Sequence, residues 1–211
     1  MGPFDHLLAH RAEVLGSALE HLGLVAVALL FAVAAGVPLG IFATRHRRLG
    51  RVALVAANVV QTVPSLALFG FLIPVPVLGG IGVRTAIVAL ALYSLLPIIR
   101  STHAGIVGVD GAAIEAARGM GMTDGQILRQ VELPLALGVI VAGVRVATVV
   151  AIGVATIAAA IGAGGLGTYI FRGLAMVDTP LILAGAVPAA LLAVAADLLL
   201  GLLARRLGAG R

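Results

Sequence analysis

Four polar residues recur in one otherwise apolar stretch, Asn58, Gln61, Thr62 and Ser65. Their spacing of i, i+3, i+4 and i+7 predicts one shared helix face. Polar groups there either hydrogen-bond to neighbouring helices or line a water-filled path, and both readings stay open. Arg145, with Thr148 one turn further on, and Asp197 also lie in apolar runs. A charge in such surroundings needs a partner or a route to a polar boundary. The two are expected to meet directly or through water, or else to reach separately for the membrane surface. Gly162, Gly164, Gly165 and Gly167 superficially match a dinucleotide-binding loop. That motif needs a preceding strand and a βαβ unit, and neither is present. The glycines instead predict close packing or an irregular helix end, read here as an outer gate. His6 and His10 stand at i, i+4 without a third ligand nearby, so a solvated face is expected and no metal site. There is no cysteine, which removes thiolate chemistry. No apolar run holds two carboxylates, a histidine pair or a Ser–His arrangement, so no catalytic residues are assigned. The chain has no Lys and therefore no GxxxxGK[ST] phosphate loop.

The elements that must position these residues follow from composition. Of 211 residues, 61% are hydrophobic and only 11% charged, where about 25% charged is usual in soluble domains. The expected class is an all-α integral membrane protein. Five apolar runs, Leu22–Ala43, Val52–Leu72, Thr85–Ile99, 135–161 and Leu181–Leu203, could each span a bilayer, the third with Arg100 reaching to the interface. Pro64 should kink the second in mid-membrane. Five spans put the termini on opposite sides. One set of loops holds Arg45, Arg47, Arg48, Arg51, Arg100, Arg118, Arg129, Arg205, Arg206 and Arg211, the other only Arg11, Arg84 and Arg172. The arginine-rich side is cytoplasmic by the positive-inside rule. Residues 1–21 then form an extracytoplasmic segment, 22–211 a transmembrane domain, and 101–134 a cytoplasmic loop. Arg145 and Asp197 fall at similar depth on the cytoplasmic side. The net charge of +5 reflects this topology rather than nucleic-acid binding, and with no Trp and two Tyr there is no base-stacking platform.

The cytoplasmic loop predicts two short helices. The first, Gly111–Met120, carries a small apolar stripe of Ala113, Ala116, Ala117 and Met120, and Gly119 and Gly121 end it. Thr123 and Gln126 fit a capping box for the second, whose apolar face is Ile127, Leu128 and Val131 and which Pro134 stops. A ten-residue helix is marginal alone. It must lie in a partner's groove or on the chain's own helices.

Glu115-Ala116-Ala117, three residues, Gly121, nine residues, Val131, one residue, Leu133-Pro134 resembles the EAA loop of ABC importer permeases. The departure is Val131 where the family usually has Ile. Asn58–Phe71, Leu92–Arg100 and Ile161–Leu174 resemble the osmoprotectant branch, which imports glycine betaine, carnitine or choline. The methionine-importer branch shares much of this core, so methionine or another small solute is the alternative. The resemblance implies a methionine-importer-type permease core in a prokaryotic cell membrane. It implies a second permease chain, identical or related, two cytoplasmic ATPase subunits that bind ATP and Mg, and an extracytoplasmic binding protein. No cofactor is implied in this chain. Glu115, Ala116, Ala117, Gly121, Leu133 and Pro134 become the ATPase-coupling residues by position. Asn58, Gln61, Thr62, Ser65, Tyr93 and Thr148 are the candidate path. With few aromatics to cage a quaternary ammonium, recognition is expected chiefly in the binding protein. A secondary transporter or channel would call for paired midplane acids or inverted repeats. The chain has Asp197 as its one embedded acid and no obvious repeat.

Overall fold

The computed structural model describes residues 10–208. Among them all regular structure is helical. The elements are α1 (Arg11–Arg45), α2 (Arg47–Thr62), α3 (Ser65–Leu72), α4 (Val83–Val107), α5 (Gly111–Gly119), α6 (Asp124–Ile127), α7 (Leu133–Ala158), α8 (Gly167–Met176) and α9 (Thr179–Gly208). Four helices are long and apolar enough to cross a membrane: α1, α4, the run Asp124–Ile161 containing α7, and α9. The pair α2–α3 makes a fifth span if it is counted as one broken helix.

Helix α4 is the central post. It packs against α1 on one side and α7 on the other, while α9 lies on α7. Leu24 and Ala28 of α1, Phe69 of α3, Leu90 of α4, and Ile152 and Ala155 of α7 share one buried cluster. Small residues let the backbones approach. A Cβ on Gly40 would stand 2.5 Å from Thr102 Cβ, and one on Gly143 would stand 2.3 Å from Ser101 Cβ. Those distances admit no side chain, so these glycines set the α1–α4 and α4–α7 spacing.

Three expectations need correction. First, the apolar run expected to start at Leu22 belongs to a longer helix, α1, that begins at Arg11, and Val14 and His21 are buried. The polar residues of this stretch are carried on exposed positions such as Glu13 and Glu20. Residues 1–9, including His6, lie outside the described residues. Second, the kink at Pro64 is a break. Val63 and Pro64 are both extended, and α2 and α3 meet at 105°. Pro64 cannot donate to the helical ladder and biases Val63 away from helix. Ser65 therefore opens a new helix and does not share a face with Asn58, Gln61 and Thr62. Third, Pro134 does not stop the second loop helix. The chain stays helical from Asp124 to Ile161, passing through a π segment at Leu128–Glu132 just before Pro134. The wider π turn relieves the clash between a proline ring and the carbonyl four residues earlier.

Candidate functional site

The loop α5–α6 is built from its caps. Asp110 accepts a hydrogen bond from Ala112 N–H at 3.0 Å and starts α5. Gly121, at φ +79°, turns the chain after it, a conformation that glycine adopts without Cβ strain. Thr123 N–H donates to Gln126 Oε1 at 2.8 Å and opens α6. Ala117 is 1% exposed and Ile127 2% exposed, and both anchor the loop to its own chain. The opposite face of α5 stays open. Glu115 and Ala116 are exposed, and Met120 is 75% exposed. The loop thus divides its surface, one face of α5 seated on α6 and the π segment Leu128–Glu132 and one left uncovered. Leu133 is half-buried and Pro134 exposed at the first turn of α7.

The candidate path residues separate into two groups. Gln61, Tyr93 and Thr148 belong to the packed interior. Pro97 of α4 has no N–H, so the carbonyl of Tyr93, four residues earlier, lacks its helical donor. Gln61 Nε2 fills that place at 2.9 Å. In return the Tyr93 hydroxyl donates to the Val63 carbonyl, which the break at Pro64 leaves open. Each side chain repairs the defect that a proline makes in the opposite helix. Thr148 is buried and donates to Val144 O, 2.8 Å away on its own helix. It therefore lines no open surface of this chain, because the back-bond turns its hydroxyl onto the backbone. Asn58 and Thr62 are exposed and Ser65 is half-buried. Asn58 Oδ1 accepts from Arg100 Nη2 at 3.3 Å.

Arg145 and Asp197 form a two-pronged pair, Nε to Oδ1 and Nη2 to Oδ2, both at 2.6 Å. Gly201, one turn beyond Asp197, leaves room for the guanidinium. A Cβ there would lie 3.1 Å from Nη1. At the far end of α7, Gly162, Gly164 and Gly165 take φ of +75°, +80° and +74°. Gly167 serves differently: it is helical, and a Cβ would stand 1.9 Å from Thr156 O. Sequence reasoning missed what holds this loop. Glu20 Oε2 accepts from Gly165 N–H at 3.2 Å, and buried His21 places Nε2 3.0 Å from Ile152 O. Glu20, Leu24, Val83, Ile87, Gly162 and Gly164 line a cleft of about 490 Å³ beside it. It also missed Glu132, which is buried and accepts a hydrogen bond from Arg45. An acid between two apolar residues of a helical run was the available signal.

The family model for the binding-protein-dependent transport system inner membrane component matches residues 36–209. This chain belongs to that family. The chain is 52% identical over 180 residues to the glycine betaine/carnitine/choline transport system permease protein OpuCD of Bacillus subtilis, covering 85% of this chain and 77% of that one. It is 47% identical to the osmoprotectant import permease protein OsmW of Salmonella typhimurium, covering 95% and 94%. Its fold superposes on a chain of the inward-facing MetNI methionine ABC transporter with a TM-score of 0.82. The sequence identity there is 26%, covering 98% of this chain and 99% of that one. The chain is accordingly a membrane-embedded permease component, and its several apolar helices are what that role requires.

Proposed function

We propose that this chain is the permease subunit of an ATP-driven importer for quaternary-amine osmoprotectants of the glycine betaine, carnitine and choline type. The observation that carries the substrate class is the 52% identity to a permease of that name over most of the chain. The transport neighbour named for methionine is only half as similar in sequence, which favours the quaternary amines over methionine.

The mechanism rests on the loop. Two ATPase subunits bind ATP and Mg and close on them. The uncovered face of α5, with Glu115, Ala116 and Met120, sits in a groove of one ATPase and moves with it. Gly121 keeps the turn after α5 tight, and Leu133 and Pro134 join the loop to α7. A second permease chain, identical or related, completes the path, and an extracytoplasmic binding protein delivers the solute. The helices rock between two openings, so the path faces one side at a time. Asn58, Thr62 and Ser65 offer weak polar contacts to the passing solute, which suits release better than retention. Gly162, Gly164, Gly165 and Gly167 shape the gate at the outer end. The N-terminus lies outside and the C-terminus in the cytoplasm, with 101–134 as the coupling loop.

Uptake of labelled glycine betaine, carnitine and choline is measured in cells with and without this chain and its companion subunits, with methionine as competitor. Chain-dependent uptake that ignores methionine is expected. Absence of quaternary-amine uptake overturns the substrate class. For the loop, Gly121→Asp and Glu115→Lys should leave the chain in the membrane and abolish both uptake and transport-linked ATP hydrolysis. Normal uptake in both overturns the coupling role.

A further inference from the structure

Glu132 is 4% exposed, although it is an acid at the membrane end of the loop. It is the last residue of the π segment that joins α6 to α7. Its Oε2 accepts a hydrogen bond from Nη2 of Arg45, the final residue of α1. Val37 and Ile41 of α1, Ile106 of α4, and Leu128, Leu133 and Ala136 form one apolar cluster near this junction of the chain. Three helices that are distant in sequence therefore meet where the loop enters the membrane.

Stability alone does not call for such a pair. The carboxylate is buried but the Arg45 side chain is 44% exposed. An ion pair that is partly solvated or buried is commonly matched by apolar residues of the same volume. Apolar contact, however, is non-directional and lets surfaces slide. A hydrogen-bonded ion pair ties two particular atoms. Helix α7 is bound covalently to the loop through the π segment, so it follows any movement of α5 and α6. Helix α1 has no such link, and at this level the ion pair supplies one. We infer that Glu132 and Arg45 form a strut that carries movement of the α5–α6 loop into the inner end of α1, so that α1 and α7 shift together. Both are positioning residues for transport. The inference rests on the reading of 101–134 as the coupling loop.

The test uses the complete transporter in lipid vesicles with its ATPase and binding protein. In Glu132→Gln and Arg45→Gln, the chain should still insert and copurify with the ATPase. ATP hydrolysis should continue but no longer rise with loaded binding protein, and uptake should fall about tenfold, within the range that coupling residues command. The reversed pair R45E/E132R should regain part of the uptake and of the stimulated hydrolysis. Parental uptake in both single variants overturns the strut, as does a reversed pair no better than either single variant. Should a single variant leave the membrane because a buried charge lost its partner, R45M/E132M is read instead. It buries no charge and should insert and bind the ATPase, yet transport poorly; parental uptake there shows a merely structural pair and overturns the inference. Gly121→Asp and Glu115→Lys separate the two readings. If they transport normally, the coupling role itself fails. If they do not, while the Glu132 and Arg45 variants do, only the strut fails.

Discussion

Arg145 and Asp197 show what a charged residue needs within an apolar helix. Each carries a formal charge, two guanidinium N–H donors meet the two carboxylate oxygens, and Gly201 clears the space. Removing one partner strands the other in apolar surroundings, whereas removing both strands neither. Asp197→Ala is therefore expected to lower the amount of folded chain in the membrane, and Asp197→Ala with Arg145→Leu to restore it. The yield of monodisperse protein from solubilised membranes is the measurement, and an equal loss in the double variant argues against the pair. Gln61 makes a related point for neutral groups. It lies on the same turn as Thr62, yet Gln61 meets the neighbouring helix while Thr62 is exposed. Spacing assigned both to one polar face, and one residue of difference in angle separated interior from surface.

At the scale of elements, prolines and the groups that answer them shape the bundle. Pro64 breaks a helix, Pro97 leaves one carbonyl open within α4, and Pro134 follows a π turn. The brace between α2 and α4 is a reciprocal repair of the first two. Gln61→Leu leaves the Tyr93 carbonyl buried without a donor, a loss of roughly 1–3 kcal/mol. Its detergent melting temperature should fall. Pro97→Ala in the same chain supplies a backbone N–H to that carbonyl, so Q61L/P97A should melt higher than Gln61→Leu alone. A double variant no more stable than the single would mean that the brace acts otherwise. The broken span itself was only partly legible. Pro64 announces a disturbance, but its size, 105°, depends on Phe69 and Leu68 finding a place in the core beside α4 and α7.

At the scale of the whole molecule, the outward face of α9 carries exposed Leu191, Val194, Leu198, Leu199 and Leu202. Such a surface belongs in lipid or against another chain, in keeping with a membrane permease component. The orientation proposed from the arginines is open to direct measurement, because the native chain contains no cysteine. Met176 ends α8 and Met120 follows α5, and both are exposed. Met176→Cys should react with a membrane-impermeant maleimide in intact cells, and Met120→Cys only after the membrane is opened. The reverse pattern overturns the orientation.

The sequence by itself determined the class, the number of apolar runs, and the spacing of the Glu115–Pro134 motif. These depend on local quantities: residue hydrophobicity summed over a span, and intervals along the chain. Only the tertiary structure decided which polar groups face inward. Tyr93 reads as a path aromatic in sequence, yet it is buried and bonded to Val63. Glu132 reads as a loop acid, yet it is buried and bonded to Arg45, 87 residues away. His21 falls in the expected extracytoplasmic segment, yet it is fully buried with Nε2 against the Ile152 carbonyl. In each case the deciding partner is a group from a distant helix. Its approach is set by how glycines such as Gly40 and Gly143 let backbones close on one another. No interval along one helix encodes that distance, because it exists only once two helices have packed.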